Sequence, residues 1–128
     1  MRKRIKNINK CIEQPIKYQT DVLKYLIKKG IKTNFGQEHC FNKITNYSSF
    51  KNQVPIRSYE ELEEYITKIR NGEKDVLWPG KIKWLAKSSG TTNSKSKFIP
   101  ITKESLNNCH FKAGKDMLSL YENNFPKT

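Results

Sequence analysis

The sequence predicts an α/β arrangement with a helix-rich start, then a strand, a polar loop, a second strand and a closing helix. Three observations carry this. Apolar residues recur at helical spacing before Gly30 and again between Ser58 and Gly72. Two short apolar runs, Trp84-Leu85-Ala86 and Phe98-Ile99-Pro100-Ile101, flank a polar stretch. A further helical stripe follows Thr102.

The elements follow in chain order. Arg2 to Ile12 sets Ile5, Ile8 and Ile12 at helical spacing with a basic opposite face. A second helix starts near Pro15, a residue suited to the first helical position, and stops at Gly30, a good residue just past a helix end. Its stripe is Val22, Leu23, Leu26 and Ile27, while Lys28 and Lys29 sit near the C-terminal end, where positive charge is favoured. Residues 31–53 show no period and contain Asn34, Gly36, Asn42 and Asn46; they read as loop with one short helical turn around Ser48 to Lys51. Ser58 and Glu61 form a capping box for the next helix, whose stripe is Tyr59, Leu62, Ile66 and Ile69 and whose end is Gly72. Pro55 prevents any earlier helix from running into it. Val76-Leu77-Trp78-Pro79-Gly80 is an apolar patch closed by a turn, and the two strands lie within residues 83–101. Thr102 can cap a last helix from Lys103 to about Asn123, with Leu106, His110, Ala113, Met117, Leu120 and Tyr121 on one face. On such a face His110 is expected to be a packing residue. Two strands do not make an independently stable sheet. The pattern therefore reads as the beginning of a larger α/β protein.

Composition narrows the function classes. The chain has 128 residues, one domain's worth or less, with 35% hydrophobic content gathered in periodic groups. No stretch approaches the roughly 20 apolar residues that span a bilayer. The basic start, Met1-Arg2-Lys3-Arg4, has no apolar run behind it, so a secretory signal is not expected. Glu13 comes early and serine is absent before Ser48, which speaks against a transit peptide. A cytoplasmic location fits. Cys11, Cys40 and Cys109 are an odd count without a Cys-x-x-Cys pair, so free thiols in a reducing compartment are expected. His39-Cys40 and Cys109-His110 invite a zinc reading, but adjacent residues point in different directions and cannot easily share one metal. Both pairs are read as packing residues, and no metal site is assigned.

The formal net charge of +13 supports a rival reading, a small basic nucleic-acid-binding module. Against it, the lysines are spread over nearly every segment and greatly outnumber arginine, the usual residue for bidentate phosphate and base contacts. A solvated lysine-rich surface accounts for the charge without nucleic acid.

The chemistry lies in Ser88-Ser89-Gly90-Thr91-Thr92-Asn93-Ser94-Lys95-Ser96-Lys97. Hydroxyls, backbone N–H groups and mobile positive charge suit a ligand rich in acceptor oxygens, and a nucleotide polyphosphate is the obvious one. The same residue types crowd ordinary hairpin turns, and composition leaves both readings open. The stretch is not a Walker A element, because Gly90 stands alone and a strand follows in place of a helix. A Gly-x-Gly-x-x-Gly dinucleotide fingerprint is also missing.

Ser89-Gly90-Thr91-Thr92, followed by Lys97 and Pro100, resembles the phosphate loop of adenylate-forming enzymes, the superfamily of acyl-CoA synthetases and luciferases. The doubled Ser88-Ser89 and Lys97-Phe98-Ile99-Pro100 look more narrowly like the Gretchen Hagen family of auxin-responsive acyl-acid amido synthetases. Val54-Pro55-Ile56, Ser58-Tyr59-Glu60, Tyr65-Ile66, Gly72-Glu73 and Leu77-Trp78-Pro79 continue the likeness, as do Gln19, Leu23, Leu26, Thr33, Phe35 and Gly36 upstream. Two departures stand out. Asn93 and Ser94 follow the threonine pair where the family commonly has glycine, although asparagine tolerates positive φ. Family members also run several times longer.

The resemblance implies that residues 1–128 are the N-terminal part of the large domain of such an enzyme, the rest of that domain and the small C-terminal domain lying beyond Thr128. It implies an ATP-dependent ligase: a carboxylic acid is activated as an acyl-adenylate and an amino acid's amine displaces AMP, with Mg2+ bridging the phosphates. Ser88, Ser89, Thr91 and Thr92 would donate to phosphate oxygens and Gly90 would admit the backbone close to them. Lys97 would offset charge on the leaving pyrophosphate or hold the loop's shape. The closing helix would line one wall of the acyl site. The implied partners are small-molecule acids and amino acids, with no nucleic acid and no membrane. No catalytic base is assignable, and the oligomeric state is not legible.

Overall fold

The computed structural model describes residues 2–89 and 96–126. Within them the chain is helix-rich with one small sheet, consistent with an N-terminal α/β portion. The helices are α1 (Arg2–Glu13), α2 (Pro15–Gly30), α3 (Asn34–Glu38), α4 (Tyr47–Gln53), α5 (Glu63–Arg70), α6 (Lys103–Ser105) and α7 (Phe111–Asn124). Strands β1 (Trp84–Lys87) and β2 (Phe98–Ile101) pair antiparallel, with Trp84 opposite Ile101 and Lys87 opposite Phe98. The chain divides into two compact units: residues 20–102, and residues 1–19 together with 103–128.

Residues 20–102 contain the core. Tyr65, Ile69, Val76 and Ile82 are buried together, with Phe35, Leu62, Leu77, Trp78 and Leu85 packed against them. Val76, only 1% exposed, anchors the apolar patch that the sequence places there. Its turn is closed by Asp75, whose N–H donates to the Gly80 carbonyl at 3.1 Å and whose Oδ1 accepts from the Gly80 N–H at 2.7 Å. Both residues have positive φ, +57° at Asp75 and +81° at Gly80. Glycine meets that geometry without a steric cost, and Asp is among the few others that tolerate it.

Residues 31–53 correct the expectation of a loop. They hold α3, a 3-10 turn at Phe41–Lys43, and α4 from Tyr47 rather than from Ser48. Each helix is fixed by a local cap. Thr33 Oγ1 accepts from the Gly36 N–H at 3.0 Å and donates to the Gly30 carbonyl at 2.7 Å, tying the end of α2 to the start of α3. Asn46 and Ser49 form a capping box at α4. The N–H groups of Asn34 and Phe35 donate to the carbonyls of Asp75 and Val76, so a distant turn also holds α3. The short turn expected around Ser48 to Lys51 is α4, slightly longer than expected, whereas the five-residue α3 is too short to display a period.

The other unit behaves differently. Arg4 and Asp116 pair at 2.5 Å between α1 and α7. The expected single closing helix is interrupted: α6 passes into a π-helical segment, Leu106–His110, before α7 begins. The wider π turn rotates the following residues out of the 3.6 period. Consequently the expected stripe is not gathered into a buried face. His110 is exposed rather than packed in a core, its ring edge against Phe111, and Met117 is 65% exposed. Within residues 20–102, by contrast, α2 exposes Val22 and Leu26 of its expected stripe but buries Ile27.

Candidate functional site

The polar stretch joins β1 to β2 along the chain, and its described ends define the site. The ladder is extended by one rung where the Ser88 N–H donates to the Lys97 carbonyl at 2.9 Å. In return the Lys97 N–H donates to Ser88 Oγ at 3.0 Å. Ser88 therefore uses its oxygen as an acceptor to close the hairpin mouth, and its O–H remains a donor. Ser89 is exposed beside it. Gly90, Thr91 and Thr92, the other residues expected to contact phosphate, lie outside the described residues.

The Lys97 side chain returns towards the start of the α5 region. Its ammonium lies 3.1 Å from Glu60 Oε1 and 4.9 Å from the centre of the Tyr59 ring. The Tyr59 hydroxyl oxygen accepts the Phe98 N–H at 2.8 Å, one residue beyond Lys97. On the Phe98 ring sits the Arg70 guanidinium, 4.7 Å from its centre. Thus the strand leading out of the loop is fastened to the first and last turns of one helical segment. The capping box makes that fastening definite. The Ser58 N–H donates to Glu61 Oε2 at 2.6 Å and the Glu61 N–H to Ser58 Oγ at 3.3 Å. Glu61 is committed to the cap, so Glu60 is the carboxylate left to reach Lys97. Hydrogen bonds from its own backbone N–H, and then from Lys97, hold the Glu60 carboxyl below the usual glutamate range.

Tyr59 and Glu60 are the residues that sequence reasoning did not assign to the site. Tyr59 was legible as a stripe position and, with Ser58 and Glu60, as part of the family likeness, but neither residue was legible as a contact of Lys97. Nothing local distinguishes a carboxylate that meets a lysine 37 positions away from one that faces water.

A second polar cluster lies apart from the hairpin. His39 is 5% exposed and stacked on Phe35 with ring centres 4.1 Å apart, which fits its reading as a packing residue. Its Nε2 accepts from Arg57 Nη2 at 3.0 Å, since a guanidinium can only donate. The Tyr65 hydroxyl donates to Glu38, and burial, followed by that carboxylate, pushes the Tyr65 hydroxyl up to about 12. The three cysteines are unpaired, with Cys11 and Cys109 exposed. Among the described residues no group of three or more His, Cys, Asp or Glu is placed to hold a metal ion. No helix among them is long and apolar enough to cross a membrane.

The chemistry of the described hairpin ends is that of a donor set: a hydroxyl, an exposed second hydroxyl and an ammonium at one edge. Such a set matches phosphate oxygens in kind. The comparison with known families is decisive for classification. The GH3 family N-terminal domain matches residues 4–128, nearly the whole chain. The chain belongs to the GH3, or Gretchen Hagen, family. Among its relatives, jasmonoyl–L-amino acid synthetase JAR4 of Nicotiana attenuata is 36% identical over 89 residues, covering 69% of this chain and 15% of that protein. Indole-3-acetic acid-amido synthetase GH3.5 of Arabidopsis thaliana is 32% identical over 89 residues, covering 69% of this chain and 14% of that protein. The 4-substituted benzoates-glutamate ligase GH3.12, also of Arabidopsis thaliana, is 30% identical over 118 residues, covering 85% and 20%. The GH3 chain described here thus spans about one-seventh to one-fifth of the length of these relatives.

Proposed function

We propose that these residues are the N-terminal part of the large domain of an ATP-dependent acid–amino acid ligase and carry its phosphate loop. The supporting observation is the hairpin whose mouth is closed by Ser88 and Lys97, with the Lys97 ammonium held at its edge. Family membership and relatives named as amido synthetases support this reading over a nucleic-acid module.

In this reading Ser88, Ser89, Thr91 and Thr92 donate to the phosphate oxygens of ATP, Gly90 lets the backbone approach, and Lys97 offsets negative charge on the departing pyrophosphate. Mg2+ bound to the phosphates supplies further charge neutralisation. A carboxylic acid is activated as its adenylate and an amino acid's amine then takes the acyl group. In this reading residues 88–97 bind and orient phosphate, and the closing helix lines one wall of the acyl site.

Magnitudes set what the 128 residues do unaided. Three or four charge-assisted hydrogen bonds contribute about 1.5–3 kcal/mol each. Association costs on the order of 4–15 kcal/mol. The gain and the cost are comparable, so this segment holds ATP weakly or not at all and is catalytically inactive by itself. Two measurements test the reading. In a ligase-length chain that contains these residues, Lys97→Ala is expected to lower adenylation at least tenfold, about 1.4 kcal/mol or more; unchanged kinetics would remove Lys97 from the mechanism. The 128-residue chain should give no ATP–pyrophosphate exchange, and measurable exchange would overturn its assignment as an incomplete unit.

A further inference from the structure

The geometry points to Glu60 as an internal stand-in for phosphate, a carboxylate that holds the Lys97 ammonium at the hairpin mouth until a polyphosphate displaces it. This rests on the reading of the hairpin as a phosphate loop and deepens it by naming what occupies the lysine beforehand.

Six contacts build the device. Glu60 Oε1 lies 3.1 Å from Lys97 Nζ. The ammonium is 4.9 Å from the centre of the Tyr59 ring, which gives the long side chain a surface to lie along. The main chain on both sides of that side chain is pinned, by Ser88 Oγ to the Lys97 N–H and by Tyr59 Oη to the Phe98 N–H. The Ser58–Glu61 box fixes the turn that presents Tyr59 and Glu60. Lys97 is thereby extended and oriented before any ligand arrives.

Exposure makes the latch releasable. The side chains of Lys97 and Glu60 are 43% and 66% exposed, so their attraction is that of a surface pair, weak and screened by salt. A buried pair would have to be broken at large cost. A ligand with several negative charges competes readily with one carboxylate on a solvent-facing lysine, and it also repels that carboxylate. Binding therefore exchanges one partner of Lys97 for another, and Glu60 weakens affinity by the strength of the contact it gives up.

The test is a double-mutant cycle in a ligase-length chain that contains these residues, with inorganic pyrophosphate titrated at one low ionic strength and followed by amide chemical shifts. Glu60→Gln keeps the size of the side chain and removes its charge, and at this exposure it leaves folding intact, which the amide spectrum checks directly. It is expected to tighten pyrophosphate binding about two- to fivefold, the scale of an exposed ion pair. Lys97→Ala should weaken binding, and in that background Glu60→Gln should give no gain. An equal gain with and without Lys97 would overturn the latch, because it would report only a general loss of negative charge. Affinity unchanged in Glu60→Gln, with Lys97→Ala still weakened, would overturn the latch and leave the phosphate-loop reading standing. Pyrophosphate binding that is the same in all four forms, or absent from all, would overturn both.

Discussion

Two regions built from equally amphipathic sequence reach very different degrees of burial. Residues 20–102 enclose all of the buried hydrophobic side chains described, from Ile27 through Tyr65, Ile66, Ile69 and Val76 to Ile82. The unit of residues 1–19 and 103–128 buries only Ser119 among its described side chains, while Ile12, Phe111, Met117 and Leu118 are each more than half exposed. The difference lies in connectivity. In residues 20–102 short helices and a tight turn exchange backbone hydrogen bonds, as Asn34 and Phe35 do with Asp75 and Val76, and so surround their apolar side chains. A pair of helices meets along one line and leaves the rest of each surface to water. Amphipathic patterning marks a face that can be buried; it does not supply the partner.

Substitutions can break or sharpen that contrast. The largest effect is expected at Ile69, 3% exposed in the core, where Ile69→Ala should cost about 2–5 kcal/mol through lost burial and a cavity. Urea unfolding followed by tryptophan fluorescence would measure it, and a cost below about 1 kcal/mol would show that the cluster is not a packed core. Next is Gly36→Ala. A Cβ there would stand 1.9 Å from the Gly30 carbonyl oxygen, so α3 must shift against a backbone atom, at about 1–3 kcal/mol. A neutral result would mean that α2 and α3 do not approach so closely.

A smaller loss, about 0.5–1.5 kcal/mol, is expected for Tyr65→Phe, which removes the hydrogen bond to Glu38. The same group predicts an alkaline limb. Because the Tyr65 hydroxyl is raised from 10.0 to about 12, its contribution is fully present below pH 10 and is lost as the pH climbs through about 12. Stability measured against pH should fall across that window in the wild type and less steeply in Tyr65→Phe; identical slopes would sink the assignment. The smallest effect belongs to the other unit. Met117→Ser, at a side chain 65% exposed, should change stability by no more than about 0.5 kcal/mol. A loss as large as that at Ile69 would erase the contrast between the two regions.

Much of this fold was legible before the structure. The boundaries of α2 at Pro15 and Gly30, the capping box at Ser58 and Glu61, the turn at Gly80 and the two strands around the polar stretch all follow from local rules. The rules are local because the interactions are: a proline's fixed φ, a hydroxyl reaching an N–H three residues away, a glycine at positive φ. The likeness to the GH3 family was legible for a related reason, since it rests on side chains whose order along the chain is itself the motif.

Other features needed the folded chain. Helix α3 was hidden because five residues are barely more than one turn, whereas α4 was legible only as a short turn around Ser48 to Lys51. The π-helical segment at Leu106–His110 shifted a face that had been counted at 3.6 residues per turn, and His110 went with it to the surface. The grip of Tyr59 and Glu60 on Lys97 and Phe98 joins residues that are far apart in sequence. Spacing along a chain records which groups can cap, turn or form a face. Which distant groups then meet depends on how the whole chain closes, because charge pairing and ring contact act through space and leave no periodic trace in the order of residues.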